Sequence, residues 1–372
     1  MGGKKLNLVV KIGTAALSRA DGTPDPVLLG SLVAELAALK KDGHNVVLVS
    51  SGAVGTGRGL IKGRMNLRNC DRVAERQILA SLGQAKLMTL YQELLAPHGF
   101  LAAQILLTKQ DFRNHDHHKH MTHLFAALRE QPHILPVINE NDSVTLDELM
   151  FTDNDELAGL LAALFAADRL IILSHVDGVY DRPPDEPGSR IISTIDWQDK
   201  KSMPGSTKGK SNTGRGGMAS KLTIAKKMAG LGIRTHIAAA KEPNVVARLL
   251  RDDPVGTTSL PLPGKRNTVK RWLASEVASA PASVTANDGL ASIIRKPGQA
   301  VSLLPIGLTR IKGEFGKGDL VQVVDEKGKL LALGVARYDA EALRQSLGKK
   351  QQPVFIHYDQ LHCVNDDKFK SS

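Results

Sequence analysis

The sequence predicts an α/β protein in which helices sandwich a mostly parallel sheet, followed by a second, small β-rich domain. Three observations carry this. Short apolar runs alternate with amphipathic stretches as far as Arg251, and strands that read as continuous apolar runs between helices belong to parallel sheets covered on both faces. The pattern breaks near Asp252, where residues 253–285 hold four prolines and little periodicity, as a linker does. Beyond it, short alternating runs are separated by Gly316, Gly318 and Gly328, the turn punctuation of small antiparallel strands.

In chain order, the apolar runs that predict strands are 8–10, 46–49, 103–107, 134–138, 170–173 and 233–239. Between them, residues 25–41, 71–96, 122–130, 154–167 and 218–231 carry apolar positions at helical spacing, which predicts amphipathic helices. In the C-terminal part the strands are expected at 302–305, 308–312, 320–324, 330–335 and 354–357. The expected division is a larger domain over 1–258, a linker over 259–281 and the small domain over 282–372.

Composition narrows the function. The chain has 372 residues, 42% hydrophobic but only 4% aromatic, so its core rests on Ala, Leu, Ile and Val. With 49 Lys and Arg against 38 Asp and Glu, the net charge is +11, most of it before residue 282. An anionic partner is expected: a phosphate compound, a nucleic acid or a membrane surface. No run of 18 apolar residues is present, which argues against a membrane span. Met1 to Lys5 lead straight into a strand-like stretch with no cleavable apolar segment. Cys70 and Cys363 form no CxxC pair, which argues against a disulfide framework or structural zinc and fits a reducing cytoplasm.

Several segments could carry chemistry. Lys11, in Val9-Val10-Lys11-Ile12-Gly13-Thr14, follows the first strand, where an open α/β sheet meets its ligand; it could equally point to solvent. Ser50-Ser51-Gly52-Ala53-Val54-Gly55-Thr56-Gly57 follows the second strand and is either an anion-facing loop or a tight turn; its glycine order is not the dinucleotide fingerprint. Asn139-Glu140-Asn141-Asp142 and Asp153-Asn154-Asp155-Glu156 read either as turn and cap residues or as a polar pocket able to hold an ammonium group and orient lysines.

Residues 200–221 hold six Lys or Arg, five Gly and no acid, a composition suited to polyphosphate or to a solvated loop. Gly205-Ser206-Thr207-Lys208-Gly209-Lys210-Ser211 imitates a phosphate-binding loop, but Pro204 stands where its first glycine belongs, so that reading fails. Asp116, His120 and His123 would share a helical face as zinc ligands can, yet no second cluster completes a site; an exposed polar helix end is the better reading, and no metal ligands are assigned.

Taken in order, Val10-Lys11-Ile12-Gly13-Thr14, Ser50-Ser51-Gly52-Ala53, Pro136-Val137-Ile138-Asn139-Glu140-Asn141-Asp142, Asp153-Asn154-Asp155 and Gly214-Arg215-Gly216-Gly217-Met218-Ala219-Ser220-Lys221 resemble bacterial glutamate 5-kinases of the amino acid kinase superfamily. Phe315-Gly316-Lys317-Gly318-Asp319-Leu320-Val321 and Gly334-Val335-Ala336-Arg337-Tyr338 resemble the PUA domain appended to them. The resemblance implies the amino acid kinase fold and transfer of the ATP γ-phosphoryl group to the side-chain carboxylate of L-glutamate, with Mg²⁺ arriving on the nucleotide. It implies that Lys11 and Lys221 flank the transferring group, that Asp155 holds both, and that Ser51, Asp142 and Asn154 bind glutamate. Nucleotide would be held by Lys11, Ser174, His175 and the run from Gly214 through Arg215, Gly216, Gly217, Met218, Ala219 and Ser220 to Lys221.

The resemblance further implies a cytoplasmic homo-oligomer, with a glutamyl phosphate reductase as candidate recipient of the product, proline as candidate feedback inhibitor, and neither nucleic acid nor membrane as partner. Ser174-His175 stands where Thr-Asp is usual, Arg215 where Thr is usual, and Met121-Thr122-His123 where Leu-Asn-Ala is usual. The competing expectations are a kinase of the same fold acting on acetylglutamate or aspartate, and an RNA-binding protein acting through the C-terminal domain, which lacks a dense basic or aromatic-basic surface.

Overall fold

The computed structural model describes residues 4–19, 21–113, 115–144, 151, 153–199, 217–263, 282–296 and 301–363. The chain divides into two compact units, one running to Lys109 and resuming over Leu124–Arg266, the other comprising Gln110–His123 and the residues from Asn267 onward.

In the larger unit, eight strands form one sheet: β1 (Asn7–Ile12), β2 (Asn45–Ser50), β3 (Leu101–Leu107), β4 (Ile134–Glu140), β5 (Arg169–Ser174), β6 (Thr194–Ile195), β7 (Arg234–Ala239) and β8 (Thr257–Ser259). Their order is β3-β4-β2-β1-β5-β7-β8-β6, and every pairing is parallel except β7 with β8. The six longer strands are the six apolar runs of the sequence. β6 and β8 escaped that reading because two or three residues leave no period to detect.

β1 lies between β2 and β5, with Lys11 in register with Val49 and Ile172. The carboxyl ends of β1, β2, β4 and β5 therefore open on one edge, the ligand edge of such sheets.

The expected long helices form as α2 (Pro26–Lys41), α4 (Arg72–Leu95), α6 (His115–Arg129), α7 (Asn154–Leu164) and α8 (Met218–Gly230). Short α1 (Thr14–Leu17), α3 (Ala53–Ile61), α5 (Lys109–Arg113) and α9 (Val245–Leu250) were not expected. α2 starts cleanly because the Asp25 carboxylate accepts the N–H groups of Val27 and Leu28 and Pro26 occupies the first turn, where its missing N–H costs nothing. Leu29, Val33, Leu36, Leu87 and Tyr91 from α2 and α4 join the sheet in one apolar core. α7 is buried on every side from Leu157 to Leu164, which suits its Ala and Leu content.

α3 and α4 pack backbone to backbone through two glycines. A Cβ on Gly57 would lie 1.9 Å from the Leu79 carbonyl oxygen, and one on Gly83 would lie 1.8 Å from that of Ala53. This contact fixes α4 against the residues that follow β2. α6 begins seven residues before the expected 122; its polar first half lacks the apolar spacing by which a helix is read.

The smaller unit carries a five-stranded sheet, β10-β9-β11-β12-β13, from β9 (Ala282–Ala286), β10 (Leu308–Lys312), β11 (Leu320–Val324), β12 (Leu330–Val335) and β13 (Leu361–Cys363). Among the described residues that follow β9, α10 (Asp288–Ile294) and α11 (Ala340–Ser346) are helical. Val284, Leu303, Val321, Val323 and Phe355 belong to its own core. The strands expected at 302–305 and 354–357 reduce to a single bridge, Leu303 with Ile356; Pro305, which has no N–H to donate, opens a short 3₁₀ turn instead.

Within the proline-bearing stretch 253–285, β8 and β9 occupy the two ends, and the expected linker 259–281 falls almost entirely between them. Leu260 N–H donates to the Ile195 carbonyl and Leu262 N–H to that of Ala229, so ordered packing continues past Ser259. Residues 264–281 lie outside the described residues.

Candidate active site

At the carboxyl edge of the large sheet is a cleft of about 390 Å³. Lys11, Ser51, Asp142, Asn154, Ser174, His175 and Lys221 all line it, so residues separated by more than 200 positions in sequence meet there. Asp155 does not line the cleft but lies directly beneath it, fully buried.

Asp155 organises one side of the cleft. Its Oδ1 is 2.6 Å from Lys11 Nζ and its Oδ2 accepts a 2.8 Å hydrogen bond from Lys221 Nζ, while both lysines are themselves buried. Burial pushes the Asp155 carboxyl upward, but the charges and hydrogen bonds of Lys11 and Lys221 outweigh it and hold the group below its usual value. One carboxylate thus fixes two ammonium groups at the wall of the cleft. Gly13 completes the arrangement, since a Cβ there would crowd Lys11 Nζ at 3.2 Å.

The other side is a chain of amides. Asn154 Nδ2 donates to Ser51 Oγ at 2.7 Å, Asn139 Oδ1 at 3.0 Å and the Ser50 carbonyl at 3.2 Å. Asn139 Nδ2 in turn donates to Gln84 Oε1 at 2.9 Å. Behind this, Ser50 Oγ and the buried Tyr91 hydroxyl lie 2.7 Å apart. The phenol is pushed above its usual pKa chiefly by burial, so it stays neutral. Asp153 caps α7, its Oδ1 accepting the N–H groups of Asp155 and Glu156, while its buried Oδ2 has no hydrogen-bond partner among the described residues. The N-terminus of α3 faces the cleft through Gly52, whose left-handed φ of 101° is accessible to glycine at no steric cost.

Two residues of the site were not legible as such. Arg76 donates to Asp142 Oδ1 at 2.5 Å and lies 3.7 Å from Glu140 Oε2, and Gln84 positions Asn139. Both come from α4, eight residues apart. The signal was present: Gln84 is a polar residue in the stripe Ala80, Gly83, Leu87, Tyr91 that is otherwise apolar and buried, and such a residue usually has a partner.

Among the expected nucleotide residues, Ser174 ends β5 buried and His175 is exposed at the cleft. Gly217 precedes α8, and Met218, Ala219 and Ser220 form its first turn leading to Lys221. Gly214, Arg215 and Gly216 lie outside the described residues, as does the rest of the basic loop from 200. Among the described residues, no group of three or more His, Cys, Asp or Glu is disposed to hold a metal. No helix among them is long and apolar enough to cross a membrane.

Comparison with known proteins gives the following matches. Residues 7–239 match the amino acid kinase family and residues 282–354 the PUA domain. The glutamate 5-kinase of Chlorobaculum tepidum is 40% identical over 357 residues, covering 96% of this chain and 97% of that protein. That of Bacteroides thetaiotaomicron is 38% identical over 358 residues, covering 95% and 98%. Among solved structures, the isopentenyl phosphate kinase of T. acidophilum in its product complex is 16% identical, covers 68% of this chain and 99% of that one, and superposes with a TM-score of 0.48.

Proposed function

The chain belongs to the amino acid kinase family and carries a PUA domain, and from that premise we propose that it transfers the γ-phosphoryl group of ATP to the side-chain carboxylate of L-glutamate, giving glutamyl 5-phosphate, the first step of proline biosynthesis. The observation that carries the reading is the Lys11–Asp155–Lys221 bridge at the wall of the cleft. Full-length relatives named glutamate 5-kinase support the choice of acceptor.

A glutamate side chain, with a reference pKa near 4.3, is already ionised at neutral pH and needs no general base. Its oxygen forms the new bond to the γ-phosphorus as the bond from that phosphorus to the ADP oxygen breaks, and no proton moves. The protein's task is to align two anions and neutralise the charge that builds on the transferring group. Lys11 and Lys221 do this, held by Asp155 so that they need not reorganise. Ser51 and Asn154 hold the acceptor, Asp142 takes its ammonium, and Ser174, His175 and the first turn of α8 receive the nucleotide.

Bound with the nucleotide, Mg²⁺ would supply further neutralisation of the phosphate charge. Asp153 lines the cleft, and its buried Oδ2, without a hydrogen-bond partner among the described residues, marks it as the residue that would hold an ion carried in by the nucleotide. Acyl phosphates hydrolyse readily, which supports hand-over to a glutamyl phosphate reductase. A cytoplasmic location, a homo-oligomeric state and inhibition by proline belong to the same proposal and rest on family likeness.

The test is ADP release with L-glutamate, acetylglutamate, aspartate or no acceptor, with hydroxylamine present to trap acyl phosphate as hydroxamate. Glutamate-dependent ADP and hydroxamate, abolished by chelation, are expected. ADP release indifferent to glutamate, or hydroxamate formed only from another acid, would overturn the reading.

A further inference from the structure

Glu140 and Asp142 stand two residues apart at the carboxyl end of β4, and their side chains are only 5% and 9% exposed. Two carboxylates so close and so poorly hydrated would repel each other and any acidic acceptor entering the cleft. One cation meets both. Arg76, reaching over from the first turns of α4, donates to Asp142 Oδ1 at 2.5 Å and lies 3.7 Å from Glu140 Oε2. Glu140 is held from its other side, its Oε1 accepting the Phe151 N–H at 3.0 Å. The Arg76 side chain is itself three-quarters buried and lines the cleft.

We infer that Arg76 is the positioning residue of the acceptor pocket, clamping one oxygen of Asp142 so that the other faces the ammonium of the acceptor amino acid. The inference rests on the glutamate kinase reading and adds to it the residue that sets ammonium recognition. A planar guanidinium suits the task because its fork can span two carboxylates, whereas a lysine ammonium is a point charge. Arg76 acts through Asp142, so its influence follows the ammonium of a ligand and not its carboxylates. Among the described residues its ion pairs run to Asp142 and Glu140 and not to the Lys11–Asp155–Lys221 bridge, so phosphoryl transfer itself is spared.

The test uses the full-length protein as wild type, Arg76→Ala and Arg76→Lys. Measured are KM and kcat for glutamate, KM for Mg-ATP, and the inhibition constants of two competitors of glutamate: 4-aminobutyrate, which keeps the ammonium but lacks the α-carboxylate, and glutarate, which keeps both carboxylates but lacks the ammonium. Arg76→Ala is expected to raise the glutamate KM on the order of tenfold, the scale of a lost charge-assisted contact, with kcat and the ATP KM within about twofold. The constant for 4-aminobutyrate should rise in parallel and that for glutarate stay nearly fixed.

Arg76→Lys should recover part of the loss, and it carries the same comparison should Arg76→Ala not fold. An unchanged glutamate KM in either folded variant overturns the inference. So does a loss that follows glutarate instead, which would make Arg76 a direct carboxylate contact. Absence of glutamate-dependent hydroxamate in the wild type would defeat the parent reading, a result separable from either.

Discussion

Asp155→Asn is the substitution that most directly tests the donor side. In the native site one buried carboxylate serves two buried ammonium groups, at 2.6 Å and 2.8 Å. Asparagine is nearly isosteric but offers one acceptor oxygen and one donor NH₂, so only one lysine keeps its bond and the other faces a donor. Breaking a buried pair while leaving a charge behind costs about 3–5 kcal/mol. The cleft above admits water to the orphaned ammonium, so the lower end applies.

At roughly 2–4 °C per kcal/mol for a unit of this size, the melting temperature should fall by about 6–12 °C. Turnover should suffer more, by about 10²–10³-fold, the cost of one misplaced preorganised donor. The glutamate KM should stay near wild type because Ser51, Asn154 and Asp142 are untouched. The difference in stability is also pH-dependent with a fixed sign. The folded carboxyl titrates below its usual value, so its stabilisation is present above the unfolded value and is lost as pH falls through the folded one. The melting curves of wild type and Asp155→Asn should therefore converge in acid. The assays are hydroxamate formation at saturating substrates and thermal unfolding from neutral pH downward. A folded Asp155→Asn protein with kcat within about threefold of wild type would refute the reasoning.

Gly83→Ala would drive a Cβ to 1.8 Å from the Ala53 carbonyl oxygen, so backbone must move; a loss of about 3 kcal/mol or more is expected from such overpacking. Gly63→Ala, in open space at φ +73°, should cost only about 1 kcal/mol, and thermal unfolding of the pair separates packing from backbone strain. Gln84→Leu removes the acceptor of Asn139 Nδ2, freeing that amide to turn over; the glutamate KM should rise several-fold and the ATP KM stay unchanged in steady-state kinetics. Residues 1–263 should fold and turn over alone, because the core and the proposed catalytic residues of the large unit all precede that point. A boundary at 258 would cut β8 and remove the bonds from Leu260 and Leu262, and comparing the soluble yield and kcat of the two truncations tests the difference.

What the sequence could disclose follows from which forces are local. The six long strands and five long helices were legible because burial on two faces, or on one face of a helix, writes a period into the residues themselves. β6, β8 and β13 span only two or three residues, and their pairing, like that of β9, is decided by neighbours distant in the chain. In the cleft, the readable residues were those whose type is unusual for their place, such as Lys11 at the end of an apolar strand and the acidic runs after β4 and before α7. Arg76 escaped because an arginine in the first turns of a surface-facing helix is ordinary until its partner 66 residues away is known. Gly83 escaped for a similar reason, since a glycine in a helix looks like a flaw until the second helix is laid against it, whereas Gly57 read as part of a loop or turn after β2 and lies in α3 instead.

The first turn of α7 would keep the proposed donor and acceptor sides in register. Asp153, Asn154, Asp155 and Glu156 are consecutive, yet each faces a different task. Asp153 caps the helix, the Asn154 amide meets Ser51 and Asn139, Asp155 meets the two lysines, and Glu156 pairs with Lys109 at 2.7 Å. A helix turns about 100° and rises 1.5 Å per residue, so neighbouring positions diverge in direction while remaining close in height. The side chain that orders the acceptor pocket and the one that anchors the lysines therefore sit on adjacent residues of one rigid, buried turn. Phosphoryl transfer between two anions needs the attacking oxygen and the neutralising charges placed relative to each other before reaction. On the proposed reading, the separation between Asn154 and Asp155 is set by the backbone geometry of this turn. Insertion of one residue between Asn154 and Asp155 would rotate one function away from the other while leaving every side chain of the site present.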